Sequence, residues 1–170
     1  LQAGAGVASG YTDADYRQKG VDILPDAAAV YGQAALLLKV KEPIAAEFPL
    51  LRREHRLFSF LHLAAEPGLA AVLRDKGLTA LAFETVEQAG RLPLLAPMSD
   101  IAGRIGVQVG ATLLPSPQGG RGLLLGGLPA ASRGRVVVLG AGEAGGSAAA
   151  MAAAMGAEVV VFDLSRAALG

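Results

Sequence analysis

Residues 136–163 read VVVLGAGEAGGSAAAMAAAMGAEVVVFD, and the order of parts in this stretch decides the fold. An apolar strand runs into Gly140-Ala141-Gly142-Glu143-Ala144-Gly145, then come a small-residue helix, a second apolar strand and Asp163. A dinucleotide-binding fingerprint needs each of these parts. Gly140 permits the tight turn out of the strand. Gly142 puts no side chain between the backbone and a pyrophosphate, and Gly145 lets the helix lie close to the sheet. The helix N-terminus, around Ala144, offers free N–H groups and a positive dipole end to phosphates. Asp163 lies 18 residues after Gly145, where an acid accepts hydrogen bonds from the adenosine ribose hydroxyls. An acid there repels a 2′-phosphate, so NAD is expected as cofactor over NADP. The bland alternative is a glycine-bearing strand–helix turn with no ligand. The joint agreement of strand, spacing, the small face Ala148 to Ala154 and the terminal acid favours the dinucleotide.

Composition narrows the class. The chain has 170 residues and is 52% hydrophobic and 18% charged, with 23 glycines, which suits a buried parallel sheet under helices and not a disordered chain. Fifteen basic and fifteen acidic residues cancel, so nothing points to nucleic acid or to an acidic membrane surface. The absence of cysteine excludes a disulfide scaffold and a thiolate zinc site, and the two histidines lack metal-ligand spacing, so no metal is expected. The uncharged stretch Ala144 to Ala157 is too short to span a bilayer, and no signal peptide opens the chain. A cytoplasmic protein is expected.

Upstream of the fingerprint, strands and helices alternate. Thr12 caps a helix through Tyr16, followed by a strand Val21–Leu24. Pro25 and Asp26 open a second helix, before the strand Ala35–Val40. A helix near Ala45–Arg53 precedes the strand Leu57–Leu61. A helix from Pro67 to Asp75 ends at Gly77, and Thr79–Phe83 is the next strand. Ser99 caps a long helix from Asp100 to about Leu114, and a Pro/Gly-rich connection, Pro115 to Gly134, leads to the fingerprint. The expected fold class is α/β: two Rossmann-like parallel-sheet domains, both incomplete in this chain, joined by that long helix. The boundary is placed near Pro93–Pro97. Residues 1–95 form a substrate domain lacking its first strand, and residues 96–170 the linker helix with the start of an NAD-binding domain. Both ends read as cut, since residue 1 is Leu and the chain stops soon after Asp163.

Three polar residues follow three strands: Lys41, His62 and Glu84. In a parallel sheet all carboxyl ends share one edge, where open α/β sheets bind ligands. A lysine there supplies a fixed positive charge for a substrate carboxylate, and a histidine exchanges protons near neutral pH. A nicotinamide ring held by the next domain would face them across a cleft. Strand-end polar residues are also common simply because the chain surfaces there, and Glu84, with Gly90 and Pro93 marking a solvated loop nearby, reads more readily as a cap for that loop. His55, within Arg52-Arg53-Glu54-His55-Arg56, reads as a solvated turn residue. Gly4-Ala5-Gly6 lacks the rest of a phosphate loop and reads as a turn.

With these residues in view the chain resembles the alanine dehydrogenase family. The resemblance rests on Leu36-Leu37-Leu38-Lys39-Val40-Lys41-Glu42-Pro43, Phe60-Leu61-His62-Leu63-Ala64-Ala65, Phe83-Glu84-Thr85-Val86 and Pro93-Leu94-Leu95-Ala96-Pro97-Met98-Ser99. Ile101-Ala102-Gly103-Arg104, Gln108-Val109-Gly110-Ala111 and Gly119-Gly120-Arg121-Gly122 extend it, nearly collinear over the whole chain apart from a small deletion around Gln88–Arg91. It implies a two-domain NAD-dependent enzyme, a homohexamer, that interconverts L-alanine with pyruvate and ammonia. A lysine like Lys41 would bind the substrate carboxylate and a histidine like His62 would serve as acid/base. The cofactor-binding residues are assigned as Gly140, Gly142, Ala144, Gly145, Asp163 and Ser99. The family's substrate-binding arginine would precede residue 1 and its catalytic aspartate would follow residue 170, so this stretch alone is expected to be inactive. The alternatives are the nucleotide-binding subunit of a proton-translocating transhydrogenase, a saccharopine-type dehydrogenase, and a non-catalytic binding module. Lys41 and His62 argue against the transhydrogenase, whose corresponding positions are typically neither.

Overall fold

A computed structural model describes residues 1–169. The chain divides into two compact units, Leu1–Val86 and Glu87–Gly170. Each is α/β and is built on a parallel sheet.

In the first unit, β1 (Leu36–Leu38), β2 (Arg56–Ser59) and β3 (Thr79–Ala82) lie side by side in that order, with Leu37 opposite Leu57 and Leu57 opposite Ala80. The helices are α1 (Asp13–Gln18), α2 (Ala27–Gln33) and α3 (Pro67–Lys76). Local chemistry sets their ends. Thr12 and Asp15 form a capping box, in which the Thr12 hydroxyl accepts the Asp15 N–H and the Asp15 carboxylate accepts the Thr12 N–H at 2.7 Å. Asp26 caps α2 by accepting the Ala29 N–H at 2.8 Å. Pro67 opens α3, and Gly77 ends it at φ 68°, with its N–H on the Leu73 and Arg74 carbonyls. The core of Tyr31, Leu37, Leu51, Leu57, Leu61, Leu69 and Leu73 lies around the central strand β2.

Two elements differ from the pattern reading. Val21–Leu24 is not a strand: among these residues only Leu24 enters a β-bridge, a single parallel one to Gln2. The segment Ala45–Leu50 is a 3-10 helix, not an α-helix to Arg53, because Pro49 lacks the N–H that would continue it.

In the second unit, β4 (Arg135–Leu139) pairs in parallel with β5 (Glu158–Phe162), and the crossover is α5 (Glu143–Ala154). α4 (Ala96–Leu113) belongs to this unit and starts a turn earlier than the expected Ser99 cap. Pro97 is the reason: a proline suits the first helical turn, where its missing N–H costs nothing, so Ser99 is inside the helix and its N–H reaches the Leu95 carbonyl at 3.1 Å. α4 packs on α5 at backbone distance, since a Cβ on Gly103 would lie 2.1 Å from the Ala144 carbonyl oxygen. Val107, Leu125, Ala152 and Ala157 form the core beneath. Among the described residues no helix is long and apolar enough to cross a membrane.

Candidate functional site

The carboxyl edge of the first sheet gathers the expected residues. The β1–β2 ladder continues past the strands proper: the Lys39 N–H donates to the Phe58 carbonyl at 3.1 Å, and the Phe60 N–H to the Val40 carbonyl at 3.3 Å. Two residues further on, Glu42 and His62 come alongside each other, and His62 Nε2 lies 4.0 Å from Glu42 Oε2. His62 is half-buried, and its ring stacks near-parallel on Phe60 with centroids 6.1 Å apart. Its backbone is in the left-handed region, φ 48°, which a side chain with a Cβ adopts only against steric cost.

Glu84 holds that turn. Its carboxylate accepts the His62 N–H at 2.7 Å and the Leu61 N–H at 3.1 and 3.3 Å. Burial pushes the Glu84 carboxyl up, but its own N–H, the His62 and Leu61 N–H groups and the nearby imidazole outweigh burial and hold it below the usual value. A cavity of about 360 Å³ opens here, lined by His62, Leu63, Ala64, Ala82, Glu84 and Thr85. Glu84 is thus a brace for the histidine turn.

Two lysines, Lys39 and Lys41, follow β1, and the structure separates them. Lys39 Nζ is paired with Glu47 at 2.7 Å. Burial raises the Glu47 carboxyl, but the hydrogen bonds from Lys39 and the Ile44 N–H, with the Lys39 charge and the Tyr31 hydroxyl, outweigh it and hold the carboxyl below its usual value. Lys41 is exposed and enters no hydrogen bond or ion pair among the described residues, so its charge is available. His55 is not the solvated turn residue its polar neighbours suggest. It is 1% exposed; its Nδ1 accepts the Arg52 N–H at 3.1 Å, which puts the proton on Nε2, 3.0 Å from the Tyr31 carbonyl. Its role is to tie the turn before β2 to the end of α2.

In the second unit the fingerprint residues meet at the turn from β4 into α5. Gly140 has φ 98°, and its N–H donates to the Phe162 carbonyl at 2.7 Å. A Cβ on Gly145 would sit 1.7 Å from the Gly140 carbonyl oxygen and 3.3 Å from Val138 Cγ1, so helix and turn close only over glycine. Gly142, by contrast, faces open space, with nothing within 4 Å of a built Cβ. Gly142 and Ala144 are exposed, and no side chain caps the N-terminus of α5. Bare helix N–H groups beside a clear approach fit a pyrophosphate.

Asp163 sits just after β5. Its Oδ2 accepts the Ala141 N–H and its Oδ1 the Ser165 N–H, each at 2.6 Å; the first of these bonds does most to hold its carboxyl below the ordinary value. A carboxylate has about four acceptor positions, so two remain for ribose hydroxyls. Ser99 lies one turn before Gly103, on the face of α4 that approaches α5. Its place as a cap is withdrawn, and Asp100 is the polar contact to α5, accepting the Ser147 hydroxyl at 2.5 Å. Sequence reasoning gave no role to Glu42 or Asp100. Glu42's signal was its register opposite His62, Asp100's its spacing of i, i+3 from Gly103.

Comparison with known proteins matches both units. The profile described as alanine dehydrogenase/PNT, N-terminal domain, covers residues 1–102, and that of the C-terminal domain covers residues 106–170. The chain belongs to the alanine dehydrogenase/PNT family. The alanine dehydrogenase of Mycobacterium tuberculosis (strain ATCC 25618 / H37Rv) is 53% identical over 166 residues, 97% of this chain and 45% of that protein. That of Bacillus subtilis (strain 168) is 47% identical over 165 residues, 97% of this chain and 43% of that protein. A solved L-alanine dehydrogenase superposes with a TM-score of 0.88 at 47% identity, over 99% of this chain and 46% of the other. A transhydrogenase from Sinorhizobium meliloti superposes with a TM-score of 0.79 at 27% identity, over 98% of this chain and 50% of the other. The chain therefore spans less than half the length of the curated relatives it matches.

Proposed function

We propose that the whole polypeptide in which this chain occurs catalyses the NAD-dependent, reversible oxidative deamination of L-alanine to pyruvate and ammonia. The observation that carries the reading is the sheet edge of the first unit. There Lys41, exposed and without an ion pair among the described residues, follows β1, and His62, whose turn is braced by Glu84, follows the neighbouring β2. The family and the alanine dehydrogenases at about half identity support it.

Lys41 binds the substrate carboxylate by charge, and a cavity of this size suits a small amino acid. His62 handles protons at its imidazole: it takes one from the water that adds to the oxidised Cα and returns one as ammonia leaves. Gly140, Gly142, Ala144 and Gly145 would hold the pyrophosphate and Asp163 the ribose, with Ser99 on the face of α4 that approaches α5. A nicotinamide bound there would supply the acceptor for the Cα hydride. A homo-oligomer, a hexamer by family resemblance, belongs to the same proposal. It is supported by the exposed apolar stripe Ile101, Ile105, Val109 and Leu113 on α4.

Steady-state kinetics on the whole polypeptide test the reading. His62→Ala should lower turnover ~100-fold or more, with NAD affinity little changed. Lys41→Ala should raise the alanine KM as well as lower turnover. Full alanine oxidation by His62→Ala would refute the acid/base role. The transhydrogenase likeness supplies the second reading, which NADH–NADP hydride exchange without amino-acid activity in the wild type would favour.

A further inference from the structure

We propose that Glu42 is the positioning residue of His62: its carboxylate accepts the Nε2–H of the imidazole and leaves Nδ1 as the nitrogen that exchanges protons. The proposal rests on the acid/base reading of His62 given above. His62 Nε2 and Glu42 Oε2 are both buried atoms without a hydrogen-bond partner, and they face each other at 4.0 Å. That is about 1 Å too long for a hydrogen bond, so the pair is poised and not closed. An unpartnered buried donor and an unpartnered buried acceptor are each unfavourable, and each can satisfy the other.

The competing acceptors are already engaged. Glu84 holds two backbone N–H groups, and Glu47 holds Lys39 and the Ile44 N–H. Lys41 offers no acceptor. The backbone brings Glu42 to this place by the Phe60–Val40 ladder bond, and Pro43 keeps it extended there. The Glu42 side chain, with three rotatable bonds, closes the gap by a small torsional change. Glu84 fixes where the histidine backbone sits and Phe60 covers one face of its ring. What remains free is which nitrogen carries the proton and where the other points. A carboxylate on Nε2–H fixes both. When Nδ1 takes a proton from the water, the ring becomes cationic; Nε2–H stays on Glu42, whose negative charge offsets the imidazolium, and the same proton leaves from Nδ1.

The test has two arms. His55 and His62 are the two histidines of these 170 residues, so selective ¹⁵N labelling of the whole polypeptide, with His55→Gln and His62→Gln spectra for assignment, identifies both rings. His55, bonded from Nε2 to the Tyr31 carbonyl, is an internal control for folding. A second, slowly exchanging downfield Nε2–H from His62 is expected in the wild type. It should vanish in Glu42→Leu with the His55 signal unchanged, and should persist, weakened, in Glu42→Gln, whose amide oxygen still accepts. In the whole polypeptide, Glu42→Leu should lower kcat by ~10- to 100-fold, the usual scale for a group orienting another ligand or base, with the alanine KM nearly constant. Glu42→Asp should recover part of the loss. A His62 Nε2–H signal that survives Glu42→Leu, or a kcat that does not change, overturns the proposal. Absence of alanine oxidation in the wild type overturns the assigned reaction instead, and the spectral arm still decides the pairing.

Discussion

Replacing Glu84 tests whether the histidine turn is built by a carboxylate or merely lies near one. Glu84→Ala deprives two N–H groups, those of His62 and Leu61, of the only acceptor they have among the described residues. A hydrogen bond to a charged group contributes about 1.5–3 kcal/mol when buried, and partial exposure here lets water replace some of it, so about 1 kcal/mol per donor and about 2 kcal/mol in all is expected. The His62 backbone, at φ 48°, then has nothing to hold it in an unfavourable region. Urea unfolding reads this cleanly. The chain has no tryptophan, and its three tyrosines, Tyr11, Tyr16 and Tyr31, all lie in the first unit, so intrinsic fluorescence reports that unit alone. With a slope of about 1–3 kcal/mol/M, the midpoint should fall by roughly 1 M. Glu84→Gln keeps one carbonyl acceptor and should recover about half of the loss. A midpoint for Glu84→Ala within about 0.2 M of wild type would show that the turn stands without the carboxylate, and the account of how His62 is placed would be wrong.

His62→Gly should stabilise the first unit by about 0.5–1 kcal/mol while removing the imidazole, because glycine adopts φ 48° freely; a drop in urea midpoint would show the ring's packing outweighs the backbone strain. Gly142→Ala should fold with unchanged stability yet lose NAD binding measured by calorimetry, whereas Gly145→Ala should destabilise the second unit without any ligand, because only the second places a Cβ 1.7 Å from a carbonyl oxygen. Equal stability for the two variants contradicts that contrast. Asp163→Ala should weaken NAD and narrow its advantage over NADP, and an unchanged ratio sinks the ribose assignment. Glu84 and Glu47 both titrate below the ordinary carboxyl value when folded, so their contribution is present above the unfolded value of about 4.3 and is lost as pH falls through their folded values. Thermal melts of Glu84→Gln and wild type should therefore converge toward pH 3; a gap unchanged with pH contradicts the linkage.

The second unit was legible because its chemistry is backbone chemistry. A strand, a turn that needs positive φ at Gly140 and a helix that must touch that turn leave glycine as the residue at fixed spacings, so the pattern is written in the sequence. The bond from Asp163 to the Ala141 N–H was not, since a side-chain-to-backbone bond spanning 22 residues leaves no local pattern. The same limit explains His55. Its neighbours Arg52, Arg53, Glu54 and Arg56 make a polar window, but the turn aims this one imidazole inward at a carbonyl left open at the end of α2. Ser99 was misplaced because a serine before an apolar run is a capping signal only if the helix has not already begun, and Pro97 begins it. Lys41, His62 and Glu84 were reachable from strand ends alone, since parallel strands gather whatever follows them on one edge.

The two units hold their sites by different physics. The glycine turn of the second is fixed by steric contact, with Gly145 against the Gly140 carbonyl and Gly103 against that of Ala144, and steric contact does not titrate. The histidine turn of the first is fixed by a carboxylate that must stay ionised to accept two N–H groups strongly. That difference suits the role proposed for each site. A pyrophosphate needs an unobstructed set of N–H groups, which close packing over glycine provides without any side chain. An acid/base needs a side chain projecting from a turn, and L-residues resist the conformation that projects it. The chain has to oppose that resistance with bonds to the turn's own N–H groups, and a carboxylate two residues past the neighbouring strand's end accepts both at once. The brace and the histidine are therefore a single unit: a change that relaxes the turn to a lower-energy backbone also shifts the His62 side chain from the place Glu84 gives it.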